Sequence, residues 1–411
     1  MDKPIRVLHI TGSMDPASGG PCQGLRTSTP TLQAMGIQRE VVCFDSPDSA
    51  YLGKDSFPIH ALGDKPNGWY YSSKLLPWLR ENIERFDAIV SNGLWLYHSS
   101  AVSGVIDRYR KNRDSSRPLK WFVMPHGMLD PYFQRAPDRK LKAIRNWIYW
   151  KLLEQKVVCK ADGVFFTCET ELLLARETFQ PYKPQQEINV GYGIETPGPY
   201  TAEMQEAFLR KCPEVANKPY LLFLSRIHPK KGVDLLVRAY LELKKAGLSL
   251  PKLVVAGPGM EADFGQSVRQ LVSREQAFQN DIFFPGMMTG DAKWGAFYGC
   301  EAFFLPSHQE NFGIAVAEAL ACGKPVLISD QVNIWREIQT GEGGLVAANS
   351  LEGVRLLLQQ WAKLTPTDKE TMAKRAKATF EQNFSIGPAA LRFKEAIATA
   401  LNQDSKIANL S

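Results

Sequence analysis

The chain predicts an α/β fold made of two Rossmann-like doubly wound parallel-sheet domains in series. Short apolar runs alternate with helical stretches throughout, the pattern of parallel strands joined by crossover helices. The pattern falters once, at Thr196-Pro197-Gly198-Pro199-Tyr200, a Pro/Gly cluster that reads as a linker, and then restarts. Phe303 to Ile328 spells a whole βαβ unit: an apolar strand, a loop from His308 to Gly313, a helix from Ile314 to Ala321 ended by Gly323, and a second strand. With 411 residues, 44% of them hydrophobic, the chain has material for two cores at about 100–200 residues per domain.

The strands expected before the linker are Arg6–Ile10, Arg39–Cys43, Ala88–Ser91, Trp121–Met124 and Gly163–Thr167. Those after it are Tyr220–Ser225, Lys252–Ala256, Ile282–Phe284, Phe303–Leu305 and Val326–Ile328. The domains so read are 1–197 and 198–387, with the ligand expected in the cleft between two carboxyl-edge faces.

Net charge is +6, mild and spread over both halves, which favours anionic ligands weakly and argues against nucleic acid as a partner. Seven cysteines with no C-x-x-C pair and no Cys/His ligand spacing read as reduced thiols rather than a disulfide or zinc framework. The Ile5–Ile10 run is too short for a signal peptide, and no run of about 18 apolar residues appears, so a cytoplasmic protein is expected.

Several residues fit chemistry at the carboxyl edge. Glu318 stands alone among Ile314, Ala315, Val316, Ala317, Ala319 and Leu320. No Lys or Arg lies between Glu310 and Lys324, so its partner is either distant in sequence or a ligand's hydroxyls. Arg226 and Lys231 follow the Tyr220–Ser225 strand and suit a diphosphate, Arg by forked hydrogen bonds and Lys as a point charge; a solvated basic loop is the plainer reading. Ser18-Gly19-Gly20-Pro21 is either a phosphate-approaching turn or ordinary punctuation. Gly257-Pro258-Gly259 matches a loose dinucleotide fingerprint, but Pro258 removes one of the N–H donors. His126, just past a strand end, is a cleft residue or a core histidine. From Arg135 to Lys160, bases interleave with aromatic residues. That stretch fits a peripheral contact with an anionic membrane surface, or an amphipathic helix whose Leu141, Ile144, Ile148, Leu152 stripe faces the core; the stripe favours the second.

Taken together, Arg226 and Lys231, Gly257-Pro258-Gly259, and Glu310-Asn311-Phe312-Gly313 with Glu318 resemble the retaining family 4 glycosyltransferases of group 1, which have the two-domain GT-B fold. The resemblance covers most of the chain and is more specific after the linker. It implies that Arg226 and Lys231 hold a donor diphosphate, aided by backbone at Phe312, Gly313 and Ile314. It further implies that Glu318 binds ribose, that Glu310 binds the transferred sugar, and that His126 sits by the anomeric carbon as a second catalytic residue. Gly19, Gly20, Gly257 and Asn311 join the donor site, with backbone near Phe284-Pro285-Gly286 at the base. The donor implied is a UDP-sugar or GDP-sugar, the acceptor a glycan or lipid-linked acceptor in polysaccharide biosynthesis, and the segment 388–411 crosses back onto the first domain. No D-x-D triplet occurs, so neither metal nor cofactor is expected. Gly191-Tyr192-Gly193-Ile194-Glu195 departs from the family's Asn-containing pattern at Tyr192. A sugar-nucleotide epimerase, a phosphorolytic enzyme and a non-catalytic sugar-nucleotide-binding protein remain alternatives on the same fold.

Overall fold

The computed structural model describes residues 3–63, 68–111, 119–136 and 139–408. The chain divides into two compact units, residues 1–193 with 386–411, and residues 194–385. Each is built on its own parallel sheet.

The first sheet has seven strands: β1 (Ile5–Ile10), β2 (Ile37–Cys43), β3 (Ile59–Ala61), β4 (Ala88–Asn92), β5 (Lys120–Met124), β6 (Gly163–Phe166) and β7 (Glu187–Asn189), in the spatial order β3-β2-β1-β4-β5-β6-β7. β1 lies between β2 and β4, so the chain reverses its winding direction there, and the carboxyl ends of β1 and β4 open the crevice where ligands bind in such sheets. Alternation along the strands serves two faces. Leu8, Ile10, Ile89, Trp121, Val123, Val164 and Phe166 pack on one; Val7, Val90, Phe122 and Phe165 pack on the other. The C-terminal helix Ile386–Ala408 covers that second face with Ala390, Phe393, Ile397 and Ala400, so it belongs to the first unit.

The second sheet has six strands, β8 (Tyr220–Leu224), β9 (Lys252–Ala256), β10 (Ile282–Gly286), β11 (Ala302–Leu305), β12 (Val326–Ser329) and β13 (Gly344–Ala347), in the order β10-β9-β8-β11-β12-β13. Its reversal falls between β8 and β11. Arg226 and Lys231 follow the first of these strands and Glu310 the second. Doubly wound parallel sheets in both units match the fold expected; β3, β7 and β13 were not anticipated.

The stripe of Leu141, Ile144, Ile148 and Leu152 is a correction. These side chains are 84, 58, 47 and 62% exposed, and Trp147 beside them is 55% exposed. The helix Lys140–Tyr149 instead buries Asn146 and continues through a π turn, Trp150–Glu154, that buries Trp150 and Glu154. Trp150 explains the choice. Its ring stacks on Phe179 with centroids 4.9 Å apart and touches Trp95, and burying an indole in an aromatic cluster outweighs burying an aliphatic stripe.

Glu154, fully buried, accepts the Trp95 N–H at 2.8 Å through Oε1. Burial pushes its carboxyl from 4.5 up to about 7, opposed mainly by that hydrogen bond. The folded chain therefore holds the proton more tightly than the unfolded chain, and stability falls as pH rises from 4.5 to about 7. The size of the loss is on the order of 3 kcal/mol at 1.36 kcal/mol per pH unit. Glu154→Gln keeps an acceptor for Trp95 and removes the ionisation. Its stability advantage over the wild type in urea unfolding should grow between pH 5 and pH 8; equal curves would contradict this account.

Candidate active site

In the second unit, three turns lock together at the carboxyl edge. Ser225 N–H donates to Ala256 O at 3.1 Å, Ile227 N–H to Pro258 O at 2.8 Å and Gly257 N–H to Gly286 O at 2.8 Å. Gly257 has φ +139°, and a Cβ there would lie 1.8 Å from Ser225 O. Its missing side chain thus lets the turn after β9 rest on the turn after β8. Gly286 has no such neighbour within 4 Å.

The turn Pro229–Lys231 is capped by His228, whose Nδ1 accepts from Lys230 N–H at 3.1 Å. His308 N–H donates to Lys230 O at 2.8 Å, which ties the loop after β8 to the loop after β11. Lys231, 9% exposed, points its ammonium at Glu310 in an ion pair. Glu310 is held in turn: its N–H donates to Gln331 O at 2.9 Å, and its carbonyl accepts from Asn333 N–H at 3.0 Å. Arg226 is exposed and has no partner among the described residues.

Phe312 anchors the loop by packing edge-on against Phe384, ring centroids 5.6 Å apart, and Asn311 lies between it and Glu310. Gly313, φ +79°, caps the helix Ile314–Ala321, accepting from Val316 N–H at 2.8 Å and Ala317 N–H at 3.1 Å. The N–H groups of Ile314 and Ala315 remain without an acceptor among the described residues, as at any helix start whose cap residue has no side chain to accept them. One turn on, Glu318 meets Lys293 at 2.7 Å. Its partner is thus a lysine 25 residues earlier, on the helix Gly290–Gly299. Burial raises the Glu318 carboxyl, and the Lys293 ammonium opposes the rise.

The second unit therefore gathers Arg226, Lys231, Glu310, Asn311, Phe312, Gly313, Ile314 and Glu318 along the β8 and β11 ends, with Gly257 and Gly286 at neighbouring strand ends. Such a grouping of cations, free N–H donors and two carboxylates can bind a diphosphate and hydroxyls. Among the described residues no three His, Cys, Asp or Glu side chains gather as a metal site would need.

Gly19, Gly20 and His126 lie in the first unit. Gly19, φ +90°, precedes the helix Gly20–Ala34. Tyr192 donates its hydroxyl to Gly20 O at 2.7 Å, and its ring fills the space a Cβ on Gly24 would need. The residue that departs from the family pattern thus braces this glycine turn. His126 follows β5 with φ +52°, a left-handed conformation rare outside glycine. Gly127 N–H and both Thr167 donors are accepted by the buried Glu171 carboxylate, the latter at 2.8 and 2.6 Å. Glu171 escaped sequence reasoning because nothing local links it to the His126 turn.

His126 Nε2 lies 3.0 Å from Asn92 Oδ1. The Asn92 amide nitrogen points at Ile10 O, Val90 O and His9 Nδ1. With the amide so oriented, Oδ1 accepts, and His126 carries its hydrogen on Nε2. Burial lowers the His126 imidazole to about 4, so it is neutral near pH 7.

Known proteins resemble both halves of the chain. The family model for glycosyl transferases group 1 matches residues 204–379, and that for the glycosyl transferase 4-like domain matches residues 19–189. A D-inositol 3-phosphate glycosyltransferase of Rhodococcus erythropolis is 30% identical over 126 residues, which cover 30% of this chain and 28% of that protein. The chain thus spans under a third of that relative's length. Among solved structures, a glycosyltransferase of Rickettsia africae superposes with TM-score 0.74 at 17% identity over 98% of this chain and 99% of that one. Anabaena HepE, in complex with UDP and glucose, gives 0.70 at 18% over 96% of this chain and 100% of that one. With its two halves matched by the two family models in order, and with two parallel-sheet units of GT-B type, the chain belongs to the group 1 glycosyltransferases.

Proposed function

We propose that the protein is a retaining hexosyltransferase that moves a sugar from a UDP-sugar or GDP-sugar to a glycan or lipid-linked acceptor without a metal or cofactor. The observation that carries this is the meeting of Arg226, Lys231 and the free N–H groups of Ile314 and Ala315 with Glu310 and Glu318 at one sheet edge. The complex of Anabaena HepE with UDP and glucose supports the choice of donor.

In this reading the cations and helix end hold the diphosphate and stabilise it as it leaves, which is the service a divalent ion gives elsewhere. Glu318, oriented by Lys293, takes the ribose hydroxyls. Glu310 takes a hydroxyl of the transferred sugar, and His126, whose Nε2–H is given to Asn92, offers that sugar its neutral Nδ1 as an acceptor. The anomeric carbon–phosphate bond breaks, the acceptor oxygen bonds to the same face, and the acceptor's proton passes to the leaving phosphate oxygen. The test is turnover in EDTA with release of nucleoside diphosphate, followed by NMR of the product's anomeric proton. A retained configuration supports the reading; an inverted one, or a glycosyl adduct trapped on Glu310, contradicts it. Change of the sugar without an acceptor would indicate an epimerase.

The exposed face of Leu141, Ile144, Trp147, Ile148 and Leu152, flanked by Lys140, Lys142, Arg145, Lys151 and Lys156, is proposed as a peripheral contact with anionic lipid. No described helix is long and apolar enough to cross a membrane. Sedimentation with vesicles containing phosphatidylglycerol should exceed that with neutral vesicles. Leu141→Ser with Trp147→Ser should reduce it at least tenfold; binding unchanged by both substitutions would remove the proposal.

A further inference from the structure

The first unit holds a second group of polar side chains. A cavity of about 70 Å³ lies between the Gly20–Ala34 helix, the C-terminal helix and the sheet, lined among others by His9, Ser28, Arg39, Asn92, His126 and Tyr192. No Asp or Glu lines it.

Arg39, on β2, is 4% exposed. Its Nη1 donates to Leu25 O at 2.9 Å, Ser28 Oγ at 2.8 Å and Thr29 Oγ1 at 2.9 Å. Its Nε is buried with no acceptor, and no carboxylate pairs with it among the described residues. The Nη1 bonds fasten the helix to β2, a task a neutral donor performs as well. They leave Nε unused, while the guanidinium carbon lies over the Phe393 ring, 5.8 Å from its centroid. His9, 2% exposed, is the second such group. Its Nδ1 faces the Asn92 amide nitrogen at 3.2 Å, which puts its hydrogen on Nε2, and Nε2 is buried without a partner. Buried arginines are ordinarily paired, and buried donors ordinarily bonded. Two orphan donors, one of them a cation, around a cavity with no acid define what is missing as an acceptor with negative charge. Burial alone lowers the Arg39 guanidinium to about 9, as expected of a cation with no anion beside it.

We propose that this cavity is a binding site for one small anionic group, a phosphoryl or a carboxylate, held by Arg39 and His9. Its volume admits such a group and not a nucleotide-sugar, and its lining residues include neither Arg226 nor Lys231 and all belong to the first unit. The group arrives as a free anion or on a larger acceptor, and His126, which lines the same cavity, would lie beside it. The proposal stands without the transferase reading.

Thermal unfolding in inorganic phosphate, against chloride at constant ionic strength, tests it. The wild type and the Arg226→Ala/Lys231→Ala double variant should both show a saturable rise in Tm. Arg39→Met should weaken the apparent affinity at least tenfold. Should Arg39→Met fail to fold, Ala390→Met fills the cavity while leaving the arginine in place, and it should weaken phosphate equally. Glucose 1-phosphate in place of phosphate separates the sources: tighter binding by tenfold or more assigns the group to an ester, and equal or weaker binding to the free anion. No saturable effect of either compound, an effect untouched by Ala390→Met, or one lost in the Arg226→Ala/Lys231→Ala variant would overturn the proposal.

Discussion

Lys231→Ala should lower kcat/KM for the nucleotide-sugar donor by about 10²–10³, equivalent to about 3–4 kcal/mol of transition-state stabilisation, with most of the loss in kcat. The charge on the departing diphosphate develops during the reaction, and Lys231 is a nearly buried ammonium whose worth there is greater than in water. Removing it also leaves Glu310 without its ion-pair partner, so the carboxylate proposed to orient the sugar loses its anchor. Arg226→Ala should cost less in stability, since Arg226 is exposed and unpartnered. Initial rates of nucleoside diphosphate release, on protein whose Tm matches the wild type, check this. A Lys231→Ala rate within threefold of the wild type would remove Lys231 from the diphosphate site.

The second large effect is structural. Gly257→Ala should destabilise the second unit by about 4 kcal/mol or more, in the range reserved for forced backbone and steric conflict. The new Cβ would lie 1.8 Å from a backbone oxygen, Ser225 O, with φ held at +139°. A backbone oxygen in a parallel sheet's edge turn cannot rotate away as a side chain can. Gly286→Ala is the control: φ is +79° and nothing lies within 4 Å, so only the left-handed penalty of about 1–2 kcal/mol applies. Denaturant unfolding should separate the two substitutions clearly. Similar midpoints would mean that the turn after β9 shifts to accommodate the methyl group.

What could be read from the chain followed from local patterns. Central strands such as Phe303–Leu305 are buried on both faces and read as unbroken apolar runs, so their positions needed no partner to be seen. The edge strands Ile59–Ala61, Glu187–Asn189 and Gly344–Ala347 are only half-buried and short, and their pairing with β2, β6 and β12 defines them. The exposed stripe from Leu141 to Leu152 failed for a related reason: apolar spacing says which residues share a face, not which face the tertiary structure buries. In the candidate site, Glu318 stood out because a carboxylate is costly amid apolar sequence, and Glu310 because of its place in the loop that carries the family resemblance. Their partners Lys231 and Lys293 belong to other elements, and only the fold brings them near. Glu171 and Asn92, which hold the His126 turn, were silent for the same reason.

The central claim is that the carboxyl edge of the second sheet binds a nucleoside diphosphate without metal. Calorimetric titration of UDP and of GDP in EDTA, on the wild type and on Glu318→Ala, tests it most directly. Binding of one of the two by the wild type, weakened at least tenfold in a folded Glu318→Ala protein, is the predicted result. Absence of binding by both until a divalent ion is added, or affinity unchanged by Glu318→Ala, would contradict it.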